Sequence, residues 1–256
     1  MKQFLRSSLS TVLYHGSAFL ASKAGGTRIL CYHRVNDKVP GYLSVPVEHF
    51  REQMKFLAEE GYRTISLGEL LTPSPPITPL PEKSIVITFD DGFRDNYENA
   101  FPILEEAGFK ATIFCIAKKV GEPGCLDKLQ ILEMHDAGFE FGSHTLSHPR
   151  LPEISTEQKW WEIFGSKRFL EELLGFRCDF FCYPHGEYDW QSVRMVEQAG
   201  YLGACSNRPG ANKNTGRHLL KRTEIGGHDS LFDFQKKVAG AYDLLHQGLH
   251  WARRRP

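Results

Sequence analysis

The sequence predicts a single α/β domain with a parallel, barrel-like (β/α) arrangement, and three observations carry that prediction. From residue 28 onward, short β-branched apolar runs alternate with longer amphipathic segments. Most of the amphipathic segments close on a glycine, the residue that best adopts the left-handed conformation just past a helix end. No GxGxxG or GxxxxGKS/T pattern follows any of the apolar runs, so the nucleotide-binding α/β folds lose their main support.

The elements follow in order. RILCYHRV (28–35) reads as a strand and VEHFREQMKFLAEEG as a helix closed by Gly61. The proline-punctuated TPSPPITPLPEK is a surface excursion, because the segment before it is too short to be a separate domain. SIVITF (84–89) is apolar, β-branched and bounded by turn residues, which is the pattern of a buried parallel strand. Then come NYENAFPILEEAG (helix, closed by Gly108), ATIFCIA (strand), LDKLQILEMHDAG (helix, Gly138) and FEFGS (strand). TEQKWWEIFGSKRFLEELLG reads as one helix ended by Gly175, followed by the strand DFFCYP and the helix WQSVRMVEQAG, ended by Gly200. YLGACS and HLLKRTEI (218–225) read as the last strands, before a C-terminal helix from about Ser230.

Composition excludes several classes of function. Across 256 residues, 31 basic and 31 acidic side chains give zero net charge, so no global field draws the chain to nucleic acid, and no such partner is expected. No apolar run approaches the roughly 18–20 residues needed to cross a bilayer. Residues 1–27 form an amphipathic segment broken by His15 and Gly16, a poor signal-peptide core. Its apolar residues, Leu5, Leu9, Val12, Leu13, Phe19 and Leu20, recur near helical spacing, suited to docking on the domain or lying on a membrane surface. The expected division is therefore segment 1–27 and domain 28–256. The six cysteines lack paired CxxC spacing and read as buried reduced thiols, which favours a cytoplasmic location, with peripheral contact to the inner membrane left open. Nothing in the sequence sets an oligomeric state.

The reactive residues cluster at one end of the expected strands. His33, the Asp90-Asp91 pair, His144 with His148, and the turn Tyr183-Pro184-His185-Gly186 all follow predicted strands, at the rim where barrel enzymes build their sites. His144 and His148 are spaced to meet one ion, whereas Thr145 stands where an HExxH protease carries its glutamate. Either pair taken alone also has a bland explanation, a chance spacing for the histidines and a capped turn for Asp-Asp-Gly. Adjacent residues at a strand end point in different directions, so one carboxylate can ligate a metal while the other faces substrate as a base. A His₂Asp set leaves positions open, as a catalytic site requires.

In this order, T-F-D-D-G (Thr88–Gly92), H-T-x-x-H (His144–His148) and F-x-Y-P-x-G (Phe181–Gly186) resemble the motifs of the polysaccharide deacetylases, the NodB-homology or family 4 carbohydrate esterases. The resemblance covers about residues 28–228 and is nearest to the branch acting on exopolysaccharide poly-N-acetylglucosamine. It implies a single-domain distorted (β/α)7-type barrel, with Asp90 as base and Asp91, His144 and His148 holding one divalent metal, zinc foremost. The implied reaction is hydrolysis of N-acetyl groups on sugars of a polysaccharide or its lipid-linked precursor. Two departures stand out. Cys182-Tyr183-Pro184-His185 replaces the R-x-P-Y segment of many members, and the late leucine-x-x-histidine motif is absent. The Tyr32-His33 segment fits the branch in which an early histidine is the acid, so His33 takes that role, and Arg222 is the candidate for the missing arginine. The expected substrate-binding set is Tyr183, Pro184, His185, Gly186, Trp190 and Arg222. Two alternatives stay open: an amidase for another small amide on the same fold, and a sugar-binding scaffold without catalysis.

Overall fold

Parallel pairing governs the main sheet of the computed structural model, which describes residues 25–71, 80–213 and 215–243. Its strands are β1 (Arg28–Tyr32), β2 (Ser84–Phe89), β3 (Thr112–Cys115), β4 (Glu140–Ser143), β5 (Phe180–Cys182), β6 (Gly203–Cys205) and β7 (Thr223–Glu224). They lie in the order β7-β1-β2-β3-β4-β5-β6, with the short strand Arg63–Thr64 also paired to β2. Cys205 on β6 forms a parallel bridge to Leu220, three residues before β7 begins, so one segment joins the two edges of the curled sheet. The expected distorted (β/α) barrel is therefore the observed architecture.

Side-chain alternation along the strands decides what reaches the interior. On β2, Ile85, Ile87 and Phe89 pack outward against α1 (Val47–Glu59), whose Phe50, Met54 and Leu57 recur at helical spacing. Val86 joins the opposite cluster, with Ile29, Phe114, Phe180, Cys182, Cys205 and Leu220. By the same parity Thr88 and Asp90 point inward from β2, Cys31 and His33 from β1, and His144 from β4. Tyr183, one residue past the inward Cys182, packs in the outer cluster with Phe181 and Tyr201.

Besides the short helix Leu67–Leu71, the remaining α-helices among the described residues are α2 (Phe101–Glu106), α3 (Lys128–Asp136), α4 (Thr156–Trp160), α5 (Ser166–Leu174), α6 (Trp190–Gln198) and α7 (Leu231–Val238). Capping boxes at Asp127, Ser155, Asp189 and Ser230 start α3, α4, α6 and α7 by satisfying their first backbone N–H groups. Gly175, at φ 82°, ends α5.

Several elements depart from the sequence reading. The first strand breaks at His33, and Arg34–Val35 pairs instead with Ser44–Val45. The helix expected over TEQKWWEIFGSKRFLEELLG carries a π-helical turn, Trp161–Gly165, between α4 and α5, and a second one, Asn96–Ala100, precedes α2. HLLKRTEI is a strand only at Thr223–Glu224; the Arg222 N–H bonds the Arg208 carbonyl outside the main ladder. The expectations for residues 1–24, for most of the proline-rich excursion and for the basic tail lie outside the described residues. All six cysteines are buried and unpaired. No helix among the described residues is long and apolar enough to cross a membrane.

Gly142 on β4 is needed for close approach rather than for a turn. A Cβ there would lie 2.6 Å from the Phe114 ring and 2.8 Å from the Phe180 carbonyl oxygen. Gly142→Ala is expected to destabilise the fold by about 1–3 kcal/mol, the usual range for overpacking; urea denaturation checks it, and an unchanged midpoint contradicts the packing described.

Candidate active site

Asp90 is almost completely buried, and its carboxylate lies flat against a buried guanidinium. Arg222 donates from Nη1 to Asp90 Oδ1 and from Nη2 to Oδ2, each at 2.7 Å. Its other donors are also committed: Nε to the Ser206 carbonyl at 3.1 Å, Nη1 to Thr88 Oγ1 at 3.3 Å, and Nη2 to Asn207 Oδ1 at 2.6 Å and Cys182 Sγ at 3.1 Å. Burial alone would raise the Asp90 pKa, but the charge and hydrogen bonds of Arg222, helped by His144 and His33, hold it well below the ordinary carboxylate range. The thiols of Cys31 and Cys182 complete its surroundings at 3.5–3.6 Å.

Asp91, the next residue, faces the rim and serves a different set. Its Oδ1 lies 3.7 Å from His144 Nε2 and 3.5 Å from His148 Nε2, and the two imidazole nitrogens are 3.2 Å apart. Donors held about 2.0–2.2 Å from a tetrahedral ion stand about 3.3–3.6 Å from one another, so the triad has the dimensions of a metal site. His144 Nδ1 lies 2.8 Å from the Cys182 carbonyl oxygen, which can only accept; this places the proton on Nδ1 and turns the bare Nε2 toward Asp91 and His148. Burial pushes the pKa of both histidines down to about 4, with the neighbouring His185 adding to the effect at His148. Both imidazoles are therefore neutral near pH 7, as metal binding requires. Two overlapping groups, Cys31-His33-Asp90 and Asp90-His144-Cys182, are also close enough to share an ion. They suit one poorly, since Asp90 is engaged by Arg222 and burial holds both thiols protonated.

The backbone is strained where these residues sit. Among the described residues, the non-glycine positions with positive φ are Asp91 (73°), Thr145 (68°), His148 (65°) and His185 (57°), and all four border this site. Each such residue costs about 1–3 kcal/mol, which the packing around a functional site has to offset.

His33 is buried beside the pair, with Nε2 4.0 Å from Asp90 Oδ2. Its Nδ1 is buried without a hydrogen-bond partner, and its backbone carbonyl accepts from Asn96 Nδ2 at 2.8 Å. The His185 ring lies 4.5 Å from that of His148, and Trp190, at the start of α6, is 69% exposed. Two members of the expected substrate-binding set lie buried. The Tyr183 ring is enclosed in the outer cluster and donates its hydroxyl to the His218 carbonyl, while Arg222 sits beneath Asp90 with its donors engaged. Pro184 and Gly186 are buried in the turn itself, and a Cβ on Gly186 would stand 2.5 Å from Asn207. Cys31, Thr88 and Asn207 were not anticipated as partners of the Asp90-Arg222 pair. Strand parity could have found the first two; nothing in the sequence marks Asn207.

A curled parallel sheet with reactive side chains gathered at this rim has the arrangement of the (β/α)-barrel enzymes. The comparisons narrow it. A sequence model described as polysaccharide deacetylase matches residues 78–204. YxkH of Bacillus subtilis (strain 168), whose name assigns it to the polysaccharide deacetylases, is 33% identical over 198 residues, 77% of this chain and 70% of that protein. The poly-beta-1,6-N-acetyl-D-glucosamine N-deacetylase of Escherichia coli (strain K12) is 37% identical over 78 residues, 30% of this chain and 12% of that protein. The solved structure of the Streptococcus pyogenes deacetylase PplD, in complex with acetate, superposes with a TM-score of 0.78 at 26% identity, covering 84% of this chain and 98% of that one. The chain belongs to the polysaccharide deacetylase family.

Breaking a buried ion pair by removing one partner costs about 3–5 kcal/mol, and Arg222→Met is expected to destabilise the protein by that amount at pH 7. The native Asp90 pKa is depressed, so its stabilisation is whole above its unfolded value of about 4 and is lost as pH falls below it. Urea denaturation should therefore show the gap between wild type and Arg222→Met narrowing from pH 7 to pH 3; a gap that stays constant contradicts the pairing.

Proposed function

We propose that this chain is a metal-dependent N-deacetylase acting on N-acetylated sugar residues of a polysaccharide or its lipid-linked precursor. The observation that carries the reading is the division of two adjacent carboxylates: Asp90 is held by an arginine in the interior, and Asp91 is aligned with two neutral imidazoles at the rim. The names of the relatives that act on poly-N-acetylglucosamine supply the substrate class. The proposed catalytic domain spans 28–256, preceded by the segment 1–27.

Asp91, His144 and His148 are the residues that would hold one divalent metal, zinc foremost. When bound, the metal supplies Lewis acidity at the acetyl carbonyl and acidifies water for attack. Asp90 accepts the proton of the attacking water, and Arg222 keeps it ionised and fixed in one orientation for that step. His33 donates to the departing sugar nitrogen; its Nε2, 4.0 Å from Asp90 Oδ2, puts acid and base side by side. In the 183–186 turn the Tyr183 N–H bonds Cys205, the Gly186 N–H bonds Tyr183 and Pro184 has none, so the His185 N–H is the donor the turn can offer to the developing oxyanion. His185 and the exposed Trp190 are the turn's candidates for contact with the saccharide, the indole offering an apolar face to the C–H side of a sugar ring.

The test is acetate release from N-acetylated β-1,6-linked glucosamine oligomers. Asp90→Asn and His33→Ala are each expected to lower kcat by about 10²–10⁴-fold, the usual contribution of a positioned acid or base. Rates within a few-fold of wild type for Asp90→Asn contradict its role as base. Chelation should abolish turnover and added zinc restore it; activity that survives complete metal removal contradicts the metal-dependent mechanism.

A further inference from the structure

The loop that carries both histidines is held from outside by the π-helical turn between α4 and α5. Glu162, in that turn, accepts from the Leu146 and Ser147 backbone N–H groups, each at 2.9 Å through Oε2, and from Ser147 Oγ at 2.6 Å through Oε1. Gly165 ends the turn where a Cβ would come 3.1 Å from Leu146 Cδ1, so the missing side chain forms a notch that seats Leu146. Ser166, the first residue of α5, accepts from Ser143 Oγ at 2.7 Å, directly before His144. Three consecutive features of one helical segment thus meet the stretch from Ser143 to Ser147. The opposite side of the loop is tied to the turn after β3, where the Ala117 and Lys118 N–H groups bond the Thr145 and Leu146 carbonyls.

We propose that Glu162 is a positioning residue for the metal-binding loop, and that the π turn exists to place its carboxylate and the Gly165 notch over Leu146 and Ser147. Inserted π turns are enriched at functional sites, and this one has an identifiable task. His148 is held in a left-handed conformation three residues after Thr145, another left-handed residue. A loop strained at both ends relaxes unless its middle is fixed, and Glu162 supplies the acceptors for the two middle N–H groups. Relaxation would move His148 away from the 3.2 Å approach to His144 that sets the triad's dimensions. The inference rests on the reading of Asp91, His144 and His148 as metal ligands.

The experiment measures zinc affinity of the full-length chain by competition with a chromophoric chelator, for wild type, Glu162→Ala, Glu162→Gln and Gly165→Ala, with circular dichroism melts of the metal-free proteins. Loss of an outer partner of a metal site typically weakens affinity by 10–100-fold, and that loss is expected for Glu162→Ala. Glu162→Gln, which keeps an acceptor for the two N–H groups, should recover part of it. Gly165→Ala should weaken zinc binding while leaving the carboxylate intact. Affinities within two-fold of wild type for Glu162→Ala and Gly165→Ala overturn the proposal, as does a drop in metal-free melting temperature with zinc affinity unchanged. Absence of zinc binding by the wild type would instead overturn the ligand assignment beneath it, and the two failures are separate readouts.

Discussion

The contact on which the rest of the site depends is the buried, two-pronged ion pair between Asp90 and Arg222. Taking both charges out of water costs several kcal/mol per ion, and a well-packed apolar pair would often serve stability as well or better. What the pair provides is definition. Two parallel N–H···O bonds fix the plane of the carboxylate, and the Arg222 charge keeps it unprotonated throughout the physiological range at some cost in proton affinity. The guanidinium is itself fixed, by Ser206 and Asn207 after β6 and by Thr88 on β2. A segment joining the two sheet edges therefore also carries the group that orients the central carboxylate.

With Asp90 occupied, the neighbouring Asp91 becomes free to act elsewhere. A strand end turns successive side chains in different directions, and the left-handed conformation of Asp91 exaggerates the divergence. One carboxylate stays in the interior beside His33 and two thiols; the other meets two imidazoles whose burial keeps them neutral. The small Cys182 side chain lies against the pair, with Arg222 Nη2 3.1 Å from its sulfur. Arg222, from the segment just before β7, is the guanidinium that meets Asp90 here, with the Cys182 sulfur beside it.

Much of this was legible in the sequence because it follows from periodicity. Parallel strands bounded by glycine-closed helices set the architecture, and the positions of His33, Asp90, Asp91, His144 and His148 after strands set the rim. Parity, had it been applied residue by residue, would also have turned Tyr183 outward from its neighbour Cys182 and brought Cys31 toward Asp90. Other features depended on tertiary context. The expected strand across 218–225 is regular only at Thr223–Glu224; the Arg222 N–H bonds the Arg208 carbonyl instead, a tertiary partner that no local pattern registers. The π turn at Trp161–Gly165 inserts itself into a segment whose amphipathic spacing reads as continuous helix, and its reason lies in the loop it contacts, 15 or so residues earlier.

The central claim is that two adjacent aspartates do separate work, one in proton transfer and one in metal binding. Metal stoichiometry tests it most directly, by elemental analysis after chelation and reloading with zinc, on wild type, Asp90→Asn and Asp91→Ala. About one equivalent is expected in wild type and in Asp90→Asn, and none retained by Asp91→Ala. Full occupancy in Asp91→Ala, or loss of the metal in a folded Asp90→Asn, would contradict it.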